Sequence, residues 1–366
     1  MSRIEELIEK LCPDGVEFKT LDKVCSVETG SQLNKDSLLE IGEYPVMNGG
    51  INPSGYWNEY NTKKDTIIIS QGGASAGFTQ YMTTPFWAGA HCYRVKLLDL
   101  SVNYKYLYYF IKNNQSSLIQ NQVGAGIPSV SRTTLYKLQI PVPPVEIQEE
   151  IVKILDNFTE LTAELTAELT VRKQQYEYYR DSLLTFSKDD SSVQWMNLGD
   201  ISNKIFSGKN LNRTENGTYT VYGSTGAIAK TDNYVYDKEQ ILVARVGANA
   251  GFVYIASGKY DVSDNTLIVD LDENKCMKFI YYILVNLNLR RFAKGGGQPL
   301  ITAGQLKEIE IPIPSIEKQK QIVEILDNFS KLCEDISGGL PAEIEARQKQ
   351  YEYYRDKLLT FKEKKV

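Results

Sequence analysis

The chain has 366 residues, 42% of them hydrophobic and 24% charged, with a formal net charge of −5. That balance suits two or more folded domains and excludes a generally basic nucleic-acid coat, while leaving room for local positive clefts. Cys12, Cys25, Cys92, Cys276 and Cys333 have no CxxC spacing and there is one histidine, so neither a disulfide framework nor a repeated metal cluster is expected.

In chain order, MSRIEELIEKL predicts a short amphipathic helix capped by Ser2, without the apolar core of a secretion signal. No run reaches membrane-spanning length, so no membrane contact and a reducing cytoplasm are expected. A first globular region follows with VEFKTL (Val16 to Leu21), YPVMNGG (Tyr44 to Gly50), DTIIIS (Asp65 to Ser70) and KYLYYF (Lys105 to Phe110). It closes with a glycine loop and a proline-rich exit, GAGIPSVSRTTLYKLQIPVPP (Gly124 to Pro144). The same landmarks return in order as VQWMNL (Val193 to Leu198), YTVYGSTG (Tyr219 to Gly226), EQILVA (Glu239 to Ala244), KFIYYI (Lys278 to Ile283) and GGGQPLITAGQLKEIEIPIPS (Gly295 to Ser315).

Each globular region leads into a helical stretch. The first opens with IVKILDNF at Ile151 and closes with QYEYYRD at Gln175; the second opens with IVEILDNF at Ile322 and closes with QYEYYRD at Gln350. The openings lie 171 residues apart and the closings 175, so the chain is a tandem duplication whose second helical copy is longer. Ile147, Ile151, Ile154, Phe158, Leu161 and Leu165 form a heptad stripe, repeated at Ile322, Ile325, Phe329, Leu332 and Ile336. Two such helices can bury their stripes against each other, parallel or antiparallel, or each can pack onto its own head. LTAELTAELT (Leu161 to Thr170) adds about 6 Å of helix per TAEL unit, and Gln148 to Phe186 spans roughly 58 Å if straight. That is close to about 17 base-pair steps of B-DNA. SGGLP (Ser337 to Pro341) predicts a kink or break in the second stretch.

The heads carry glycine loops beside hydrogen-bonding and basic side chains. In the first, Asn48, Gly49, Gln71, Gly72, Gly73, Ser75, Arg94, Gly124 and Gly126 are candidates to meet DNA; in the second, Lys209, Gly223, Ser224, Thr225, Arg245, Gly247 and Asn249. Arg290, Arg291 and Lys294 beside Gly295, Gly296 and Gln298 make the clearest basic patch. Glycine lets backbone approach a duplex, Asn and Gln match adenine edges, and Arg matches guanine edges or phosphates. The bland readings are tight turns and a glycine-capped basic helix end. His91, beside Cys92, reads as a packed or hydrogen-bonded side chain rather than a metal ligand. Repetition of QYEYYRD between diverged copies marks Tyr176, Tyr179, Arg180, Tyr351, Tyr354 and Arg355 for mutual packing, for grasping by two equivalent partners, or for both.

Together, the paired heads, the IPxP exits at Ile140 to Pro143 and Ile311 to Pro314, the IxxILDNF helices and the TAEL units resemble the specificity subunits of Type I restriction-modification systems over nearly the whole length. The resemblance implies an α+β chain with two homologous target-recognition domains of mixed sheets. Two long helices would separate them as an antiparallel coiled coil with pseudo-twofold symmetry. The boundaries are then 1–145 for the first recognition domain, 146–186 for its helical spacer, 187–315 for the second domain and 316–366 for its spacer. It also implies a bipartite, asymmetric target in double-stranded DNA, two modification (methyltransferase) subunits carrying S-adenosylmethionine, and restriction motor-nuclease subunits. TAEL copy number is associated in that family with the spacer between half-sites. NPSGYW (Asn52 to Trp57) departs at Ser54 and Gly55 from the NPPY-type signature of adenine methyltransferases, and no GxxxxGK[ST] loop is present. Catalysis and cofactor are therefore expected in the partners, with none in this chain. The alternative is a duplicated coiled-coil scaffold that binds proteins without DNA specificity.

Overall fold

The computed structural model describes residues 3–120, 128–295, 297–334 and 338–365. The expected cap Ser2, the loop glycines Gly124, Gly126 and Gly296, the heptad residue Ile336, and Ser337 lie outside them. The chain divides into two compact units, Met1–Leu165 with Ile344–Val366, and Thr166–Glu343. Each unit thus holds one head, the start of that head's helix and the end of the other copy's helix.

In the first unit an antiparallel sheet runs in the order Cys25–Thr29, Cys92–Leu97, Thr66–Ser70, Thr79–Met82. A smaller sheet sets Tyr44–Met47 between Tyr56–Trp57 and, in parallel, Trp87–Ala88. Strand Thr66–Ser70 explains why the head needs both. Alternate side chains point to opposite faces, so Ile67 and Ile69 enter the main core while Ile68 joins Met47, Phe86 and Ala88 in a second one. Glu17–Thr20 pairs with Gln139–Val142 in a two-stranded ribbon, where Pro141 lacks an amide that a central strand would need.

The second unit repeats the plan: Ser202–Ser207, Thr266–Leu271, Gln240–Ala244 and Val253–Ala256 form the main sheet. Tyr219–Gly223 and Lys259–Val262 run parallel within the other sheet, and Gln194–Asn197 pairs with Glu310–Ile313. Ile241 and Val243 face one core and Leu242 the other.

Helix Val145–Leu184 is continuous through the TAEL units. Its first turns bury Ile147, Ile151 and Leu155 completely in the core of the first head. Each such side chain is worth about 1.5–3 kcal/mol relative to exposure. Ile322 and Leu326 do the same in the second head. The rest of the expected stripe is less buried: Ile154, packed at the edge of the first core, and Phe158 are half-buried, and Ile325 is 40% exposed. In the first unit Tyr351, Leu358 and Leu359 share the core with Ile151 and Leu155; in the second, Tyr176 and Leu184 share it with Ile322 and Leu326. The second helical stretch is two helices, Ile316–Glu334 and Leu340–Leu358, with Pro341 in the first turn of the latter, where its missing amide costs nothing. No helix among the described residues is long and apolar enough to cross a membrane.

Candidate functional site

Gln71 of the first head and Arg245 of the second occupy equivalent places in one backbone arrangement. The Gln71 amide donates to the His91 carbonyl at 2.9 Å, its carbonyl accepts from Val130 at 2.8 Å, and the Gly73 amide donates to Pro128 at 2.9 Å. In the second head, Arg245 donates to Asn265 at 2.9 Å and accepts from Ile301 at 2.8 Å, and Gly247 donates to Pro299 at 2.9 Å. Gly73 and Gly247 have φ of 85° and 78°, and a Cβ on either would meet nothing within 4 Å. The glycines are required by the backbone conformation, since the space around them is open. Each loop thus sets a half-buried polar residue, Gln71 or Arg245, just past a strand end.

Two tight turns gather the remaining loops. In the first head, Gly89 donates to Met47 and the His91 amide donates to Asn48 Oδ1 at 3.1 Å, bringing Asn48 and Gly49 against Gly72 and His91. Ser31 donates to Ala88. In the second head the turn after Val262 holds Asn210 through the Val262 carbonyl, and Ser263 donates to Tyr222. It also takes the Arg245 guanidinium onto the Asp264 carbonyl at 3.4 Å. Lys209, next to Asn210, is exposed, and the Tyr254 hydroxyl donates to the Gly223 carbonyl at 2.6 Å. Burial pushes the Tyr254 hydroxyl up to about 12, so it stays a donor. Ser224 and Thr225 are the two-residue turn between paired Gly223 and Gly226, with Thr225 exposed. Ser75 is half-buried and its carbonyl caps the Gly73–Phe78 turn.

The basic patch splits. Exposed Arg290 shares an open cavity of about 350 Å³ with Asn249, Phe252, Tyr254 and Tyr281. Arg291 and Lys294 line another, of about 470 Å³, together with Glu308 and Glu310. Lys294 and Leu300 exchange backbone hydrogen bonds, and Gln298 is exposed. Arg94 lies apart from the loops. Its two terminal nitrogens reach Glu28, the carbonyls of Asn61 and Thr29, and Thr62, at 3.3–3.5 Å, so protein groups hold the guanidinium, while Nε is buried without a partner among the described residues.

On the helices, Tyr354 stacks on Phe158 and Tyr179 meets Phe329, so these two repeated tyrosines each pack on the opposite copy's phenylalanine. Arg180 and Arg355 lie over the rings of Tyr176 and Tyr351, at 5.9 and 5.7 Å, and each pairs with the following aspartate. Tyr176 and Tyr351 turn inward to their head cores. The outward rings are Tyr178 and Tyr353, 70% and 63% exposed, neither of which was singled out from the sequence.

Residues 13–171 and 191–346 match the family described as Type I restriction modification DNA specificity domain. The chain belongs to that family. It is a non-catalytic DNA-specificity component of a restriction-modification system that also comprises modification and restriction subunits. A relative from Escherichia coli, the Type I restriction enzyme EcoR124I/EcoR124II specificity subunit, is 33% identical, the match covering 99% of this chain and 97% of that one. A putative type I restriction enzyme specificity subunit from Haemophilus influenzae is 29% identical over 99% of this chain and 100% of that one. The crystal structure of the Type-I restriction-modification system S subunit from M. genitalium superposes with a TM-score of 0.70 over 94% of this chain and 96% of that one, at 21% identity. That likeness establishes a shared fold.

In this specificity subunit, two residues sit at equivalent points on the gathering turns; Asn265 escaped sequence reading, and His91 was named only for its side chain. His91 and Asn265 are both exposed, and their carbonyls anchor Gln71 and Arg245. His91 is thus exposed, and the hydrogen bonds described for it run through its backbone amide and carbonyl. The available signal was positional: each lies between a glycine- or serine-bearing turn and the strand of the main sheet that runs next to the one ending at Gln71 or Arg245.

Proposed function

We propose that this specificity subunit reads an asymmetric, bipartite DNA sequence, one half-site per head, and holds two modification subunits that methylate adenine with S-adenosylmethionine. The observation carrying this reading is the shared bonding of the Gln71 and Arg245 loops. One scaffold presents different side chains at the same place, as two readers of different half-sites require. Gln71 supplies an amide suited to adenine; Arg245 and Asn249 supply guanine- and adenine-directed groups. The helices act as an antiparallel, pseudo-twofold spacer. Supporting this, late residues of each copy meet early residues of the other, as in Tyr354 with Phe158 and Tyr179 with Phe329. Repeated exposed tyrosines on both helices suit two identical partner subunits, which restriction motor subunits then join.

Methylation mapping of DNA from cells carrying this chain with its modification subunit, compared with cells lacking this chain, tests the reading. Loss of one split, asymmetric methylated motif is expected. An unchanged methylome with both subunits expressed would favour the protein-binding scaffold.

A further inference from the structure

The aspartate of each ILDNF opening makes one contact pattern twice. Asp156 accepts from Lys105 Nζ at 2.7 Å and from the Tyr109 hydroxyl at 2.6 Å. Asp327 accepts from Lys278 Nζ at 2.5 Å and from the Tyr282 hydroxyl at 2.6 Å. Lysine and tyrosine sit four residues apart on one face of the head helix, Tyr104–Asn113 or Met277–Asn286, and converge on a single carboxylate of the long helix. The apolar contacts around Ile151 and Ile322 hold head to helix without direction, whereas two donors on one carboxylate fix both distance and angle.

A second polar tie differs between the heads. Gln148, fully buried, accepts from the Asn103 amide and donates to the carbonyls of Ser101 and Pro143. Its counterpart Gln319 keeps the bond to Pro314, while among the described residues its Oε1 has no partner. The aspartate clamp is therefore the polar tie that both diverged heads retain in full.

We propose that Asp156 and Asp327 are positioning residues that fix the angle of each recognition domain on its helix, and so set how strictly one spacing between half-sites is demanded. This rests on the bipartite reading above. The loops proposed to read half-site bases carry none of the clamp residues, so loosening it alters tolerance for spacing and leaves base choice intact.

The test uses this chain assembled with its modification subunits, on duplexes whose half-sites are fixed and whose spacing is native or changed by one base pair. The wild type is expected to discriminate against both altered spacings. The variant Asp156→Ala/Asp327→Ala should lose roughly tenfold of that discrimination, the scale of one charge-assisted bond, with base preference unchanged. Tyr109→Phe/Tyr282→Phe, which spares the packing, should lose it in the same direction and restores the test if the aspartate variant fails to fold. Unchanged discrimination in a folded variant, even with a lower Tm, would make the clamp mere adhesive and overturn the proposal. Wild-type binding indifferent to the second half-site would instead overturn the bipartite reading itself.

Discussion

Tyr354 stacks on Phe158 with ring centroids 5.5 Å apart and planes at 25°. Its neighbour Tyr353 points outward and touches only the edge of Tyr354, at 5.4 Å and 76°. Adjacent identical residues therefore carry different duties. Tyr354→Ala should cost about 0.5–1.5 kcal/mol beyond lost area and lower Tm. Tyr353→Ala should leave stability within about 0.5 kcal/mol yet weaken assembly with the modification subunit. Thermal denaturation and sedimentation of the mixed subunits separate the two, and the pair Tyr179 and Tyr178 should behave alike.

Close backbone approach holds the loop containing Lys209 to the second head's gathering turn. A Cβ on Gly208 would strike the Val262 carbonyl, as one on Gly30 would strike that of Ala88. Gly208→Ala should force the strands apart at about 1–3 kcal/mol. Hydrogen exchange should then quicken at Asn210, whose amide bonds Val262, while the first head keeps its protection.

Side-chain deletion at the two equivalent loop positions should relax specificity in one half-site each. Gln71→Ala should make one position of the methylated motif degenerate, and Arg245→Ala a position in the other half, each costing about 1–3 kcal/mol of discrimination. Methylome sequencing of the single variants reads this directly. Both variants losing the same position would refute separate reading by the two heads.

Acid should reach the first head through Asp99. Bonds from Lys19 and Ser101 hold its carboxyl at about 2, below the ordinary 3.8. Because the folded value is the lower, its contribution is complete above the unfolded pKa and is lost as pH falls from there through about 2. The difference in Tm between wild type and Asp99→Asn should accordingly be present at pH 6 and shrink below about pH 4.

The duplication and the helix starts were legible because they depend on local pattern: ILDNF, QYEYYRD and the proline exits stand in the chain as they do in the fold. The break before Pro341 was legible for the same reason. What escaped depends on pairing across the sheets. Arg94 looked free until Glu28, Asn61 and Thr29, all distant in sequence, surrounded it. The heptad count named Ile147 and Ile151, which the head core does bury, but beyond them the core takes Leu155 more fully than Ile154, because the head meets the helix on one side of the stripe. Tyr353 and Tyr354 look identical in sequence, and only Phe158 distinguishes them.

Residues 344–365 complete the unit that begins with the earliest residues: the Val16 amide donates to Lys362 and its carbonyl accepts from Lys364, while Leu358 and Leu359 fill the first core. The second unit is one uninterrupted stretch, Thr166–Glu343. During synthesis, then, the residues that complete the first unit leave the ribosome only after the whole second head.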